Sequence, residues 1–245
     1  MNAVTSWSRD EFLGACLGRA VFKLQDAAAA DTALAAARAE PRALIETRVP
    51  VDQVATLAAL TDRGFHVVDT NVQLDCPAAR LRVPSTVNAS WQVRAALAAD
   101  DAAVRELCAV QMTTSRFNLD PHIEHERAAQ VKREWAGNFF TGKRGDGMYV
   151  VEMDATVAGF LLVIEKGALG VIDLIAIEPR VRGSGAVQAL LTAWCSRSAK
   201  LERILVGTQI SNTRSLRAYE KLGFRVCGAS HVLHCHVRKN REEAN

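Results

Sequence analysis

The chain has 245 residues, of which 49% are hydrophobic and 23% charged, and a net charge of +3. This is an ordinary globular composition, long for one domain and short for two full ones. So small a charge makes no case for nucleic acid, no apolar run reaches membrane-spanning length, and the N-terminus lacks the basic start and apolar core of a signal peptide.

Residues 19–24 read as a strand, and the Ala-rich segment 27–39 as a surface helix or loop, since Ala favours helix. Residues 43–49 read as a strand ending at Pro50. Asp52 is placed to cap a helix with Val54, Leu57, Ala58 and Thr61 on one side. Gly64 stops it, and residues 65–74 alternate as a strand. Residues 77–88, with Pro77, Pro84, Ser85 and Asn88, read as a linker between a smaller unit, 1–88, and a larger one, 89–245.

Beyond the linker, residues 91–96 read as a strand, and Asp100 or Asp101 opens a helix carrying Val104, Leu107, Cys108 and Gln111. The polar stretch 113–121 breaks at Pro121. Residues 123–140 read as a helix with Ala128, Val131, Trp135 and Phe139 inward. A turn at 142–147 leads to a hairpin, 148–153 with 157–165, around Asp154-Ala-Thr. A strand at 171–177, a glycine loop, a helix to about 198, a strand at 203–210, a helix from Ser211 or Asn212 and a strand at 224–237 complete the chain. The six cysteines (16, 76, 108, 195, 227 and 235) show no CxxC pairing, which points to reduced thiols and a cytoplasmic location.

The first unit has an echo in the second. Leu57, Gly64, Phe65, Val67 and Leu74 recur at a constant offset as Leu216, Gly223, Phe224, Val226 and Leu233. Tyr219 then corresponds to Leu60, and the glycine loop has no counterpart. On this reading the first unit is a degenerate, structural relative of the second, shaping one wall of a substrate cleft.

The segment 171–191 organises the rest. An apolar strand is closed by Pro179, which has no N–H to donate, and Arg182-Gly-Ser-Gly185 precedes Val187, Leu190, Leu191 and Trp194 at helical spacing. Free N–H groups and the positive end of the helix dipole make such a junction an anion site, and Gly183 and Gly185 let phosphate oxygens approach. The loop lacks the Lys-Ser/Thr of a Walker A motif and the third glycine of a dinucleotide fingerprint.

Pro179-x-x-Arg182-Gly-Ser-Gly185 followed by Leu190-Leu191 resembles the pyrophosphate-binding segment of the GNAT N-acetyltransferase superfamily. Asn212-Thr-Arg-Ser-Leu-Arg-Ala-Tyr219, closed by Gly223-Phe224, resembles its late motif. The resemblance implies an α/β (α+β) GNAT fold: a mixed, mostly antiparallel sheet flanked by helices, here preceded by a smaller partial GNAT-like unit. It implies acetyl-CoA as co-substrate. Arg182, Gly183, Ser184, Gly185, Ala186 and Val187 would hold the pyrophosphate, and Ile175, Ala176 and Ile177 would meet the thioester and pantetheine with main-chain groups. Asn212 would contact the pantetheine arm. Val187 departs from the family's usual Gly or Ala. Tyr219 would be the general acid, since a phenol of pKa about 10 can protonate a departing thiolate of pKa about 8.5 without ionising at neutral pH. Otherwise Tyr219 is a core aromatic and Asn212 an N-cap.

Asp173 and Glu152 are candidate bases, each with a solvated or salt-bridged carboxylate as the simpler reading. His234 and His236 share a strand face, but no further ligand has a recognised spacing, so no metal is expected. The layout of the whole chain resembles the dTDP-4-amino-4,6-dideoxygalactose (dTDP-fucosamine) acetyltransferases. That implies acetylation of a nucleotide-linked 4-amino sugar, with Arg116 meeting a phosphate or hydroxyl and Phe117 packing on a ring. Alternatives are another amine (a protein N-terminus, a polyamine or an aminoglycoside) or a non-catalytic acyl-CoA sensor. A small-molecule amine, no nucleic acid, no membrane insertion and a possible homodimer are the expected partners.

Overall fold

A computed structural model describes residues 6–82 and 90–239. The chain opens with strand β1 (Trp7–Arg9), helix α1 (Glu11–Leu17) and β2 (Ala20–Leu24). Asp10 caps α1 by accepting from the Leu13 N–H at 2.8 Å. The Ala-rich segment forms a short 3-10 turn and α2 (Ala30–Arg38), whose Ala30, Ala33, Leu34 and Ala37 are buried. It is a core-facing helix: methyl side chains let it lie close against the sheet. Next come β3 (Arg42–Pro50), α3 (Val54–Thr61) and β4 (His66–Pro77). The residue at the N-cap of α3 is Gln53, not Asp52, and it makes no side-chain cap.

The second part begins with β5 (Gln92–Ala95), α4 (Asp101–Gln111), a single turn α5 (Arg116–Leu119) and α6 (His125–Gly137). A hairpin of β6 (Gly147–Met153) and β7 (Thr156–Lys166) turns at Asp154 and Ala155, both with positive φ. Then follow β8 (Leu169–Ile177), α7 (Ala186–Arg197), β9 (Arg203–Gln209), α8 (Thr213–Leu222) and β10 (Arg225–Arg238).

The ten strands hydrogen-bond in the order β1-β2-β3-β10-β4-β9-β8-β7-β6-β5. Two compact units share them: residues to 71 with 115–128 and those from 229 on, and residues 72–114 with 129–228. Neither is one continuous stretch: residues 115–128 group with the first unit, and the boundaries at 71/72 and 228/229 fall within β4 and β10. Half of the expected 77–88 linker, residues 83–88, lies outside the described residues.

The first unit packs α2 and α3 on its strands around Phe22, Leu34, Ile45, Leu60, Phe65 and Leu233. The second has a core on each face of its sheet. One joins Leu161, Val163 and Ile172 to Leu190, Leu191 and Trp194 of α7; the other joins Phe160, Leu162 and Leu174 to Val104, Leu107 and Cys108 of α4. Cover on both faces explains why β7 is apolar without alternation.

The echo in sequence is an echo in topology. β1 is antiparallel to β2, and β2, α2 and β3 form a parallel crossover before α3 and β4. In the same order, β7 is antiparallel to β8, and β8, α7 and β9 form a parallel crossover before α8 and β10. Gly64 and Gly223 end the matching helices with φ of 86° and 100°. A Cβ at Gly223 would lie 2.9 Å from the carbonyl oxygen of Arg80, whereas one at Gly64 meets nothing within 4 Å. Gly64→Ala is therefore expected to cost about 1 kcal/mol, from backbone strain alone. Gly223→Ala should cost more, about 2–3 kcal/mol, because it adds the clash. Urea denaturation of the two variants measures the difference.

Candidate active site

The site is built in the second unit, where β8 and β9 part. Their parallel register runs from Leu169–Arg203 to Ile172–Val206, and β8 then continues to Ile177 without that partner. The parting coincides with a β-bulge: Leu162 pairs Leu174 and Val163 pairs Ile172, so Asp173 is the extra residue. Glu178 donates its N–H to Ala158 at 2.9 Å. By the alternation of an antiparallel ladder, Ala176 then commits its backbone groups to β7, and Ile175 and Ile177 direct theirs toward the side of β9. Of the three expected main-chain contacts, Ile175 and Ile177 are the two with groups aimed that way.

Immediately after β8, a 3-10 turn (Pro179–Val181) leads into the glycine loop. Gly183 and Gly185 have φ of 76° and 90°, and a Cβ on either would meet nothing within 4 Å. The left-handed backbone therefore demands glycine, while the space around it is open. Gly185 is the N-cap of α7 and offers no side chain to the first-turn N–H groups. Ser184 pins the loop: its hydroxyl donates to the Val181 carbonyl at 2.7 Å and accepts from the Trp91 indole at 3.0 Å. Arg182 turns back on the fold, donating to the Ile177 carbonyl and to Gln111. Ala186 is buried, and Val187 packs against the α7-side core.

Helix α8 brings the second motif. Asn212 caps it, accepting from the Ser215 N–H at 3.2 Å. Tyr219, two turns on, is only 4% exposed and sits 5.4 Å from the Phe224 ring within the same core as Leu190 and Leu191. Burial pushes its phenol well above the ordinary value, so it stays protonated across the neutral range.

The two candidate bases are engaged elsewhere. Asp173 forms a two-pronged pair with Arg144 at 2.5 and 2.6 Å, and that guanidinium stacks 4.7 Å from the Trp135 ring centre. Glu152 accepts from Arg94 at 2.6 Å and Gln92 at 3.0 Å, and these bonds hold its carboxyl below the ordinary range, opposite to a base poised near neutrality.

Arg116 and Phe117, expected to meet a substrate, belong to the first unit. Phe117 is completely buried, and Arg116 pairs with the buried Glu46 at 2.9 Å while stacking 4.2 Å from the Phe117 ring centre. As folded, Phe117 has no face for a sugar ring, because the helical turn of α5 directs it into the core.

The first unit also gathers groups that spacing along the chain did not reveal. Buried Asp120 takes hydrogen bonds from His234 at 2.5 Å, His236 at 2.7 Å and the His122 N–H at 2.9 Å. Burial alone would raise its carboxyl, but these bonds hold it far below the ordinary range. The faint signals were Asp120-Pro-His122 and His234-Cys-His236, two pairs that only the tertiary fold joins.

Residues 109–224 match the Acetyltransferase (GNAT) family. Over that segment the chain is similar to the GNAT acetyltransferases. The glycine loop, α7 and α8 all lie inside the matched segment. The spore coat polysaccharide biosynthesis protein SpsD of Bacillus subtilis (strain 168) is 29% identical over 127 residues. That match covers 51% of this chain and 44% of SpsD, so less than half of the relative is represented. Among solved structures, a GCN5-related N-acetyltransferase from Sphaerobacter thermophilus superposes with a TM-score of 0.59 at 14% identity, over 90% of this chain and 74% of that one. A tandem GNAT protein from the clavulanic acid biosynthesis pathway gives 0.61 at 12% identity, over 88% and 75%. A conserved protein of unknown function from Staphylococcus epidermidis ATCC 12228 gives 0.62 at 10% identity, over 88% and 83%. The chain has the GNAT fold of the first two, the second of which is a tandem GNAT protein. The GNAT family implies acetyl-CoA, and an open glycine loop before an uncapped helix fits its pyrophosphate. Among the described residues, no helix is long and apolar enough to cross a membrane.

Replacing both Gly183 and Gly185 by Ala would force two left-handed residues to accept a Cβ, shifting the loop amides. Acetyl-CoA affinity, measured by calorimetry, is expected to fall at least about tenfold, or about 1.4 kcal/mol.

Proposed function

We propose that the second unit transfers an acetyl group from acetyl-CoA to the amine of a small molecule, a nucleotide-linked 4-amino-4,6-dideoxy sugar. The observation that carries the acyl-transfer reading is the parting of β8 from β9 beside an uncapped glycine N-terminus. An unpaired strand edge suits the amides of a pantetheine arm, and the α7 N-terminus suits a pyrophosphate. The kinship with a polysaccharide biosynthesis protein supports a sugar acceptor.

In the reaction, the neutral amine nitrogen bonds to the thioester carbonyl carbon and the C–S bond breaks. The amide remains on the acceptor, and coenzyme A leaves as thiolate. N–H groups at Ile175 and Ile177 would polarise the carbonyl as its oxygen gains charge. Tyr219 would give the thiolate its proton; its raised pKa favours the protonated donor form. With Asp173 and Glu152 held by arginines, the ammonium proton passes to water before or during attack. The first unit, lacking the glycine loop and carrying Leu60 where Tyr219 stands, is a degenerate GNAT-like repeat and has no catalytic part.

The test is thiol release from acetyl-CoA over a panel of amines that includes nucleotide-activated 4-amino sugars. Turnover confined to the amino-sugar nucleotides supports the whole reading; turnover with polyamines or aminoglycosides instead removes the sugar. Tyr219→Phe is expected to lower kcat by about 10²–10⁴-fold while acetyl-CoA still binds. Unchanged kcat would rule out the acid role, and acetyl-CoA binding without turnover on any amine would favour the sensor. Because burial raises the Tyr219 pKa, the wild-type rate should show no alkaline loss between about pH 7 and 9 from this group, which a pH–rate profile measures.

A further inference from the structure

Three imidazoles and one carboxylate converge in the first unit, apart from anything acyl transfer uses. His66 opens β4, His236 lies near the end of the neighbouring strand β10, and Asp120 and His122 flank Pro121 after α5. One ligand-type atom from each of the four lies within 4.8 Å of all the others. The rings of His66 and His122 stand 5.7 and 4.8 Å from that of His236. The Nε2 atom of His66 is shielded from solvent and has no hydrogen-bond partner. A buried, unsatisfied ring nitrogen is costly, and beside a buried carboxylate it is placed to ligate.

We propose that His66, Asp120, His122 and His236 form a closed four-ligand site for a divalent cation of borderline softness, zinc first, which ties the 120–122 turn to β4 and β10. Three nitrogens and one oxygen suit tetrahedral zinc at about 2.0–2.2 Å per bond, which sets ligand atoms about 3.4 Å apart. Side-chain rotation closes the present spread to that value. Four protein ligands leave no open position, so the ion is structural rather than catalytic. His234, completely buried and bonded to Asp120 at 2.5 Å, orients the carboxylate from behind. Half-exposed His122 provides the way in from solvent.

One contact has to give. Arg19 Nη1 lies 3.3 Å from Nδ1 of His236, whose Nε2 now faces Asp120 at 2.7 Å. With the ion on Nε2, the ring proton sits on Nδ1 and Arg19 swings away. The proton that lay between His236 and Asp120 is the one that passes to Nδ1, and the metal takes its place between Nε2 and the carboxylate.

The test uses the full chain, treated with a chelator and then titrated with zinc alone by calorimetry. One equivalent is expected to bind, with a raised melting temperature. Cobalt as a probe should give the visible spectrum of tetrahedral nitrogen–oxygen ligation without a thiolate charge-transfer band, which separates this site from the six free cysteines. His122→Ala removes an exposed ligand and His66→Gln a shielded one. Both should weaken zinc binding by about a hundredfold or more, since even outer-shell losses cost about 10–100-fold. Circular dichroism checks their folding, and the exposed His122 keeps the test valid should His66→Gln unfold. Absence of a stoichiometric zinc equivalent, a thiolate band, or unchanged affinity in His122→Ala would overturn the proposal.

Discussion

The bulge at Asp173 is the constraint from which the rest of the second unit follows. A residue inserted into β8 has no partner on β7, so the strand twists and leaves the parallel register of β9 just beyond Ile172. The inserted carboxylate would be costly between two cores without a partner. Arg144 meets it with both prongs and is itself backed by Trp135. The ion pair so stabilises a defect in the sheet, and the defect opens the edge on which Ile175 and Ile177 present main-chain groups.

The same strand then delivers the chain to the glycine loop. Ser184 ties that loop to Trp91 and Val181, and α7 is anchored by fully buried Leu190, Leu191 and Trp194. The helix N-terminus is thus held by its apolar face while its polar end stays uncapped. One helix thus combines a firmly packed apolar face with first-turn N–H groups that no side chain caps. Arg182, though next to the loop, spends its guanidinium on Ile177 and Gln111.

The first unit repeats the strand and helix order of the second with a different economy. Its sequence has no glycine loop, and some of its polar side chains form buried sets, Arg116 with Glu46 and Asp120 with His234 and His236. Such groups persist in an interior only when paired, so their presence places specific demands on the local fold.

Much of the architecture was legible in the sequence because it rests on local rules. Alternation marked most strands, Gly64 and Gly223 marked the two helix ends by their left-handed backbone, and the Gly183 and Gly185 spacing marked the left-handed loop before α7. Asn212 and Tyr219 share a helix face through the 3.6-residue period alone. What tertiary structure decided was every feature made by residues distant in the chain. The partner of Asp173, the burial of Phe117 and the gathering of His66, Asp120, His122 and His236 depend on which strands become neighbours. The exchange of β4 and β10 between the two units likewise escaped a linear reading, which expected a single cut. Periodicity reports which way a side chain points from its own backbone; only the assembled sheet determines what stands opposite.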